Sequence, residues 1–118
     1  MAKASETIRD AVLSWPQVSE EPHRFGGVEF RLGKREFGHL HGEVLLDVPF
    51  PRTVRDELIG AGLVERHHIL PDSGWISFRI RKAGDAEAAI ALLRRSYDLA
   101  IAQLVRREQQ SKRARAQS

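Results

Sequence analysis

Cysteine is absent from this 118-residue chain. That removes disulfides, thiolate metal ligands and a cysteine nucleophile together. Long apolar runs are also absent. No stretch approaches membrane-spanning length, and the first residues lack the apolar core of a signal peptide, so a cytoplasmic protein with no membrane partner is expected. Aromatics are sparse, with two Trp, one Tyr and five Phe. None interleaves with basic residues as a base-stacking surface would require. Gly26-Gly27 and Gly33 stand at strand starts and turns, not before a helix, so they do not form a phosphate loop.

Charge is uneven along the chain. Residues 106–118 hold Arg106, Arg107, Lys112, Arg113 and Arg115 against Glu108, a net +4, while the whole chain carries +3 and residues 1–105 therefore −1. The expectation is one domain over residues 1–105 and a basic, flexible, solubilising tail over 106–118. A nucleic-acid partner is not expected. A hydrophobic content of 42% suits a single globular domain with a core of its own.

Periodicity supplies the elements. Ile8, Val12 and Leu13 recur at helical spacing over about residues 5–14, with Ser5 as the candidate cap and Pro16 as the stop. Residues 16–24, with Pro16 and Pro22, read as a loop. Val28, Phe30 and Leu32 alternate with Glu29 and Arg31, Gly33-Lys34 turns the chain, and Arg35 to His41 returns as the second arm of a hairpin. Val44 to Val48 makes a third strand. Pro51-Arg52-Thr53 opens a helix that Gly60 and Gly62 close, and residues 63–69 and Trp75 to Ile80 read as two further strands around a Pro71–Gly74 turn. Ala86, Ala89, Ile90, Leu93, Tyr97, Ala100, Ile101 and Leu104 mark a final helix from about 84 to 106. The predicted class is α+β, an antiparallel sheet with helices packed on one face, in the order α-β-β-β-α-β-β-α. The other face is left open to solvent or ligand.

Histidine is the residue type that carries chemical information. Four of the five fall in Gly38-His39-Leu40-His41-Gly42 and Arg66-His67-His68. Imidazole moves protons and binds metals near neutral pH. Strand alternation places Phe37, His39 and His41 on one face, and Leu40 on the other. With Leu40 turned to the core, the histidines share the open face with Glu29, Arg31, Trp75 and Arg79, a polar patch with one aromatic wall that suits a small-molecule ligand. His67 or His68 supplies a third imidazole. Three imidazoles, two of them from an H-x-H pair, would suit a zinc or iron site, but no carboxylate is obviously placed to complete a facial triad; no cofactor is expected, with a His-ligated metal as the minority alternative. Ser73, His67 and Asp72 lack a nucleophile elbow, and Asp72-Ser73-Gly74 is turn chemistry.

The stretches Arg24 to Arg31, Glu36 to Gly42, Leu63 to His68 and Ser73 to Phe78 resemble the luciferase-domain family, over about residues 8–102. The Gly-Trp strand followed by a helix with Ser96-Tyr97 is also similar to YjbR-like domains. The first resemblance implies an oxygenase that oxidises a hydroxylated pyrone with O2 and needs no metal or organic cofactor. It implies His39, His41, His67 and Arg66 as catalytic positions; strand alternation and the His67-His68 pair place Arg31, Trp75, Arg79 and His68 around the substrate. The second implies a non-catalytic ligand- or partner-binding module.

Overall fold

A computed structural model describes residues 3–23, 26–67 and 69–117. The elements are α1 (Ala4–Leu13), β1 (Val18–His23), β2 (Gly27–Leu32), β3 (Arg35–His41), β4 (Leu45–Pro49), α2 (Arg52–Gly60), β5 (Glu65–Arg66), β6 (Trp75–Arg79) and α3 (Asp85–Gln117). One six-stranded sheet runs in the order β1-β2-β3-β4-β6-β5, and every neighbouring pair is antiparallel. The α+β class follows.

The core lies between one sheet face and the helices. Phe30, Leu40, Leu46, Val48 and Ile76 from the strands meet Ile8 and Val12 of α1 and Ala89, Leu93 and Ala100 of α3, all buried. Each Val, Leu, Ile or Phe among them contributes about 1.5–3 kcal/mol by leaving water. Helix α2 adds Leu58 to the core and ties to α3 through Glu57 and Arg95.

Four expectations need correction. Residues 18–23 form a strand, β1, where a loop was expected. Its Pro22 is tolerated because β1 is an edge strand with one hydrogen-bonded side. The cap of α1 is Lys3, and Ser5 lies inside the helix, bonded to Glu43. The strand expected over 63–69 is only Glu65–Arg66. The last helix continues to Gln117, well past Arg106. Ala and Gln favour helix there, although residues 106–117 are exposed.

A fifth correction shapes the site. Phe30 pairs with Gly38, and the next residue, Arg31, pairs with Glu36, so Phe37 is an extra residue on β3. This β-bulge turns Phe37 into the core, fully buried, away from the face that strict alternation assigned to it. Glu36 and His39, three residues apart, thereby reach the same open face. Helix α3 fits the bulge. The Ser96 hydroxyl donates to the Phe37 carbonyl at 2.9 Å, and a Cβ on Gly38 would overlap Leu93 Cδ2.

Candidate functional site

Asp47 on β4 is the centre of the open face. It is fully buried and faces away from the helices, between His39 of β3 and Ser77 of β6 in the sheet register. A buried carboxylate requires partners, and four are present. Ser77 Oγ donates to Oδ1 at 2.6 Å. The Nε2 atoms of His39, His41 and His67 stand 3.0, 3.0 and 3.3 Å from Oδ2. Burial resists the charge on Asp47, yet the His39 and Ser77 hydrogen bonds and the neighbouring imidazoles hold its pKa well below the ordinary carboxylate range.

The imidazoles differ in what their second nitrogen meets. His39 Nδ1 lies 2.6 Å from Glu36 Oε1, the contact made possible by the bulge. With a carboxylate on each nitrogen, His39 is an imidazolium. Burial pulls its pKa down, but Asp47 and Glu36 outweigh burial and raise it from 6.5 to about 9.

His67 lies just after β5. Its Nδ1 accepts the backbone N–H groups of Ile69 and Leu70 at 3.1 and 3.0 Å. A nitrogen that accepts carries no proton, so Nε2 bears it and points at Asp47. The loop backbone therefore fixes the His67 tautomer.

His41 must also present Nε2–H to Asp47 when neutral. Its Nδ1 then carries a lone pair and meets no hydrogen-bond partner among the described residues. Burial lowers the His41 pKa, and the positive charge of His39 adds to this, against the raising effect of Asp47. His41 is also the most accessible of the three, at 28% side-chain exposure against 9% and 8% for His39 and His67.

Around this centre, His23 of β1 stacks on His39 with ring centroids 4.0 Å apart and meets Glu29 Oε1 at 3.1 Å. Glu29 also accepts from Arg31 Nε at 2.6 Å, and the His23 and Arg31 contacts lower its pKa against the effect of burial. The Trp75 ring lies 5.0 Å from that of His39 and forms the aromatic wall.

The expected residues are thus partly assembled. His39, His41 and His67 converge, and Arg31 and Trp75 border them. Arg79 lies on the same face but is paired with Glu65 at the sheet edge. Arg66 is not brought in. It pairs with Ile76, whose side chain is in the core, so register sends it to the other face, and its guanidinium donates to the Pro71 carbonyl. The expected convergence of Arg66 with the imidazoles is not what the register gives. His68 lies outside the described residues. Sequence reasoning missed Asp47, Ser77, Glu36 and His23. Asp47 stands out in retrospect as a lone acid inside the apolar Val44–Val48 run, where a buried charge needs a reason.

Metal ligation is sterically available to three groups among the described residues, His23-His39-His41, His39-Asp47-His67 and His23-Glu29-Glu36, the donor atoms of each lying within 4.8 Å of one another. The hydrogen bonds favour proton chemistry. His67 has no free Nε2 lone pair, and both nitrogens of His39 are committed to carboxylates.

The luciferase domain family model matches residues 34–96, more than half of the chain. The match contains Glu36, all three imidazoles on Asp47, Asp47 itself, Trp75 and Ser77. Comparison with curated proteins and with solved structures finds no match. The chain belongs to the luciferase-domain family.

Proposed function

We propose that the open face binds a small phenolic or enolic molecule and removes its acidic proton, in a cofactor-free oxygenase reaction. One observation carries this reading. Two neighbouring imidazoles share the Asp47 carboxylate, but His39 has a second carboxylate, Glu36, on its Nδ1 whereas His41 Nδ1 meets no partner among the described residues, which sorts an acid–base pair into its roles. His41 is the base. Its free Nδ1 accepts the hydroxyl proton, while Asp47 holds Nε2–H and balances the imidazolium that forms. His39 is the standing cation. Its ring centroid lies 4.7 Å from that of His41, close enough to stabilise the developing oxyanion through space. Trp75 supplies the surface for the planar substrate.

The deprotonated substrate is an electron-rich enolate. Addition of O2 at its carbon forms one C–O bond, and return of the proton from His41 gives a hydroperoxide. The substrate supplies the electrons and O2 both oxygen atoms. Family membership favours this use of the site, although a shared domain alone does not transfer a reaction.

The test is oxygen uptake with a panel of hydroxypyrones and polyphenols. The wild-type chain consumes O2 with at least one, and His41→Gln lowers that rate by about 10²-fold or more, the usual range for a lost general base. Saturable binding without oxygen uptake would replace the oxygenase with a non-catalytic binding module. Equal rates in both proteins would remove His41 from the chemistry.

A further inference from the structure

Two clefts adjoin at the start of β3 and the middle of α3, away from the imidazoles. One is about 350 Å³ and is lined by Arg35, Arg106 and Gln103 over Pro49, Phe50 and Leu99. The other, about 290 Å³, shares Arg35 and Gln103 and adds Lys34 and Arg107. Together they reach the size of small-molecule sites. No carboxylate lines either cleft. Several arginines elsewhere find acids, such as Arg9 with Glu20, Arg31 with Glu29 and Arg95 with Glu57. Lys34, Arg35, Arg106 and Arg107 make no ion pair among the described residues. Four like charges thus border one hollow without a counter-ion from the fold.

Two separate parts of the chain bring them there. Leu32 pairs with Arg35 across the tight turn at Gly33-Lys34, and the extension of α3 past the expected end delivers Arg106 and Arg107. The floor between them is apolar. A bare anion would satisfy the rim and leave uncovered the apolar floor, where Leu99 is half-buried and the edge of the core residue Phe50 lines the cleft.

We propose that these confluent clefts form a second binding site, for an amphiphilic anion. A phosphate or carboxylate head sits between Arg35 and Arg106, and an apolar body lies on Phe50 and Leu99. Guanidinium groups suit such heads because they offer paired donors with fixed charge. The site is independent of the imidazole face.

Calorimetric titration with monomeric octyl phosphate tests this, with inorganic phosphate and octanol as controls. Octyl phosphate binds saturably and tighter than either control. The Arg35→Gln/Arg106→Gln double variant weakens it by about tenfold or more, and His41→Gln leaves it unchanged. Circular dichroism checks the fold of the double variant. If that variant is unfolded, Arg106→Gln alone, on an exposed helix turn, decides the matter by the same criterion. Binding that ignores both arginines, or inorganic phosphate binding as tightly as octyl phosphate, would overturn the proposal. So would sedimentation with phosphatidic acid vesicles by a chain that does not bind the monomer, since the source would then be a membrane surface.

Discussion

Raising the pH from 6 to 9.5 should destabilise the domain, with a magnitude set by His39. In the unfolded chain its imidazole titrates near 6.5, and in the fold near 9. A raised folded pKa means that the native state keeps a proton the unfolded state has released. The stabilisation is therefore complete below 6.5 and is lost as pH climbs through 9. At about 1.4 kcal/mol for each pH unit, that gap corresponds to about 3 kcal/mol. His39 is buried, so solvent screening removes little of it. The lowered pKa of Asp47 describes the same ion pair from its other side and is not added. Among the groups facing His39, Asp47 and Glu29 have lowered pKa values that keep them ionised in this window, and the lowered pKa of His41 moves its own titration below 6.5. Urea unfolding at half-unit steps from pH 6 to 9.5 measures the effect. The unfolding free energy should fall across 6.5–9 with a steepest slope near one proton. A flat profile, or stability rising with pH, would refute the assignment of His39 as an imidazolium between two carboxylates.

Other outcomes follow from the same contacts. Gly74→Ala should cost more than Gly38→Ala, because a Cβ on Gly74 meets the Phe50 backbone carbonyl whereas one on Gly38 meets the end of Leu93. In a Leu93→Ala background, itself about 2–5 kcal/mol less stable, the further cost of Gly38→Ala should shrink while that of Gly74→Ala should not, each overpacking cost being about 1–3 kcal/mol in thermal unfolding. Asp47→Ala should destabilise by about 3 kcal/mol or more, since it leaves buried imidazoles unpaired; a smaller loss would show that water replaces the carboxylate. A chain ending at Arg107 should keep its stability within about 1 kcal/mol, because the removed turns are exposed throughout. Dialysis against a chelator should leave the melting temperature unchanged, and a fall of many degrees would place an ion among His39, Asp47 and their neighbours.

The legible parts of the sequence were those with a strong period. Phe30 and Leu32, the stripe from Ala89 to Ala100 and the His39-His41 pair announced two strands, the last helix and a histidine-bearing face. What escaped depended on events between elements. The bulge at Phe37 has no local signature, since it arises where Leu93 and Ser96 of α3 press on β3, some sixty residues away. Without it, Glu36 points to the wrong side and His39 has one carboxylate instead of two. Strand β1 was hidden by Glu20, Glu21 and Pro22, which an edge strand accepts. His23 was lost with it. Asp47 was passed over inside the Val44–Val48 strand, because its imidazole partners come from separate stretches of the sequence. Arg66 failed for a simpler reason: a two-residue strand has one face toward Asp47, and Glu65 takes it.

The most direct test of the acid–base division is a pH titration of the histidine ring nitrogens by long-range proton–nitrogen NMR, with His23→Gln, His39→Gln and His41→Gln providing assignments. His39 should keep both ring protons to about pH 9. His41 should lose its Nδ1 proton below 6.5 and remain an Nε2–H tautomer above it, with His67 an Nε2–H tautomer as well. If His39 and His41 both titrate near 6.5, the surroundings do not separate the two imidazoles and the proposed base and standing cation are not there.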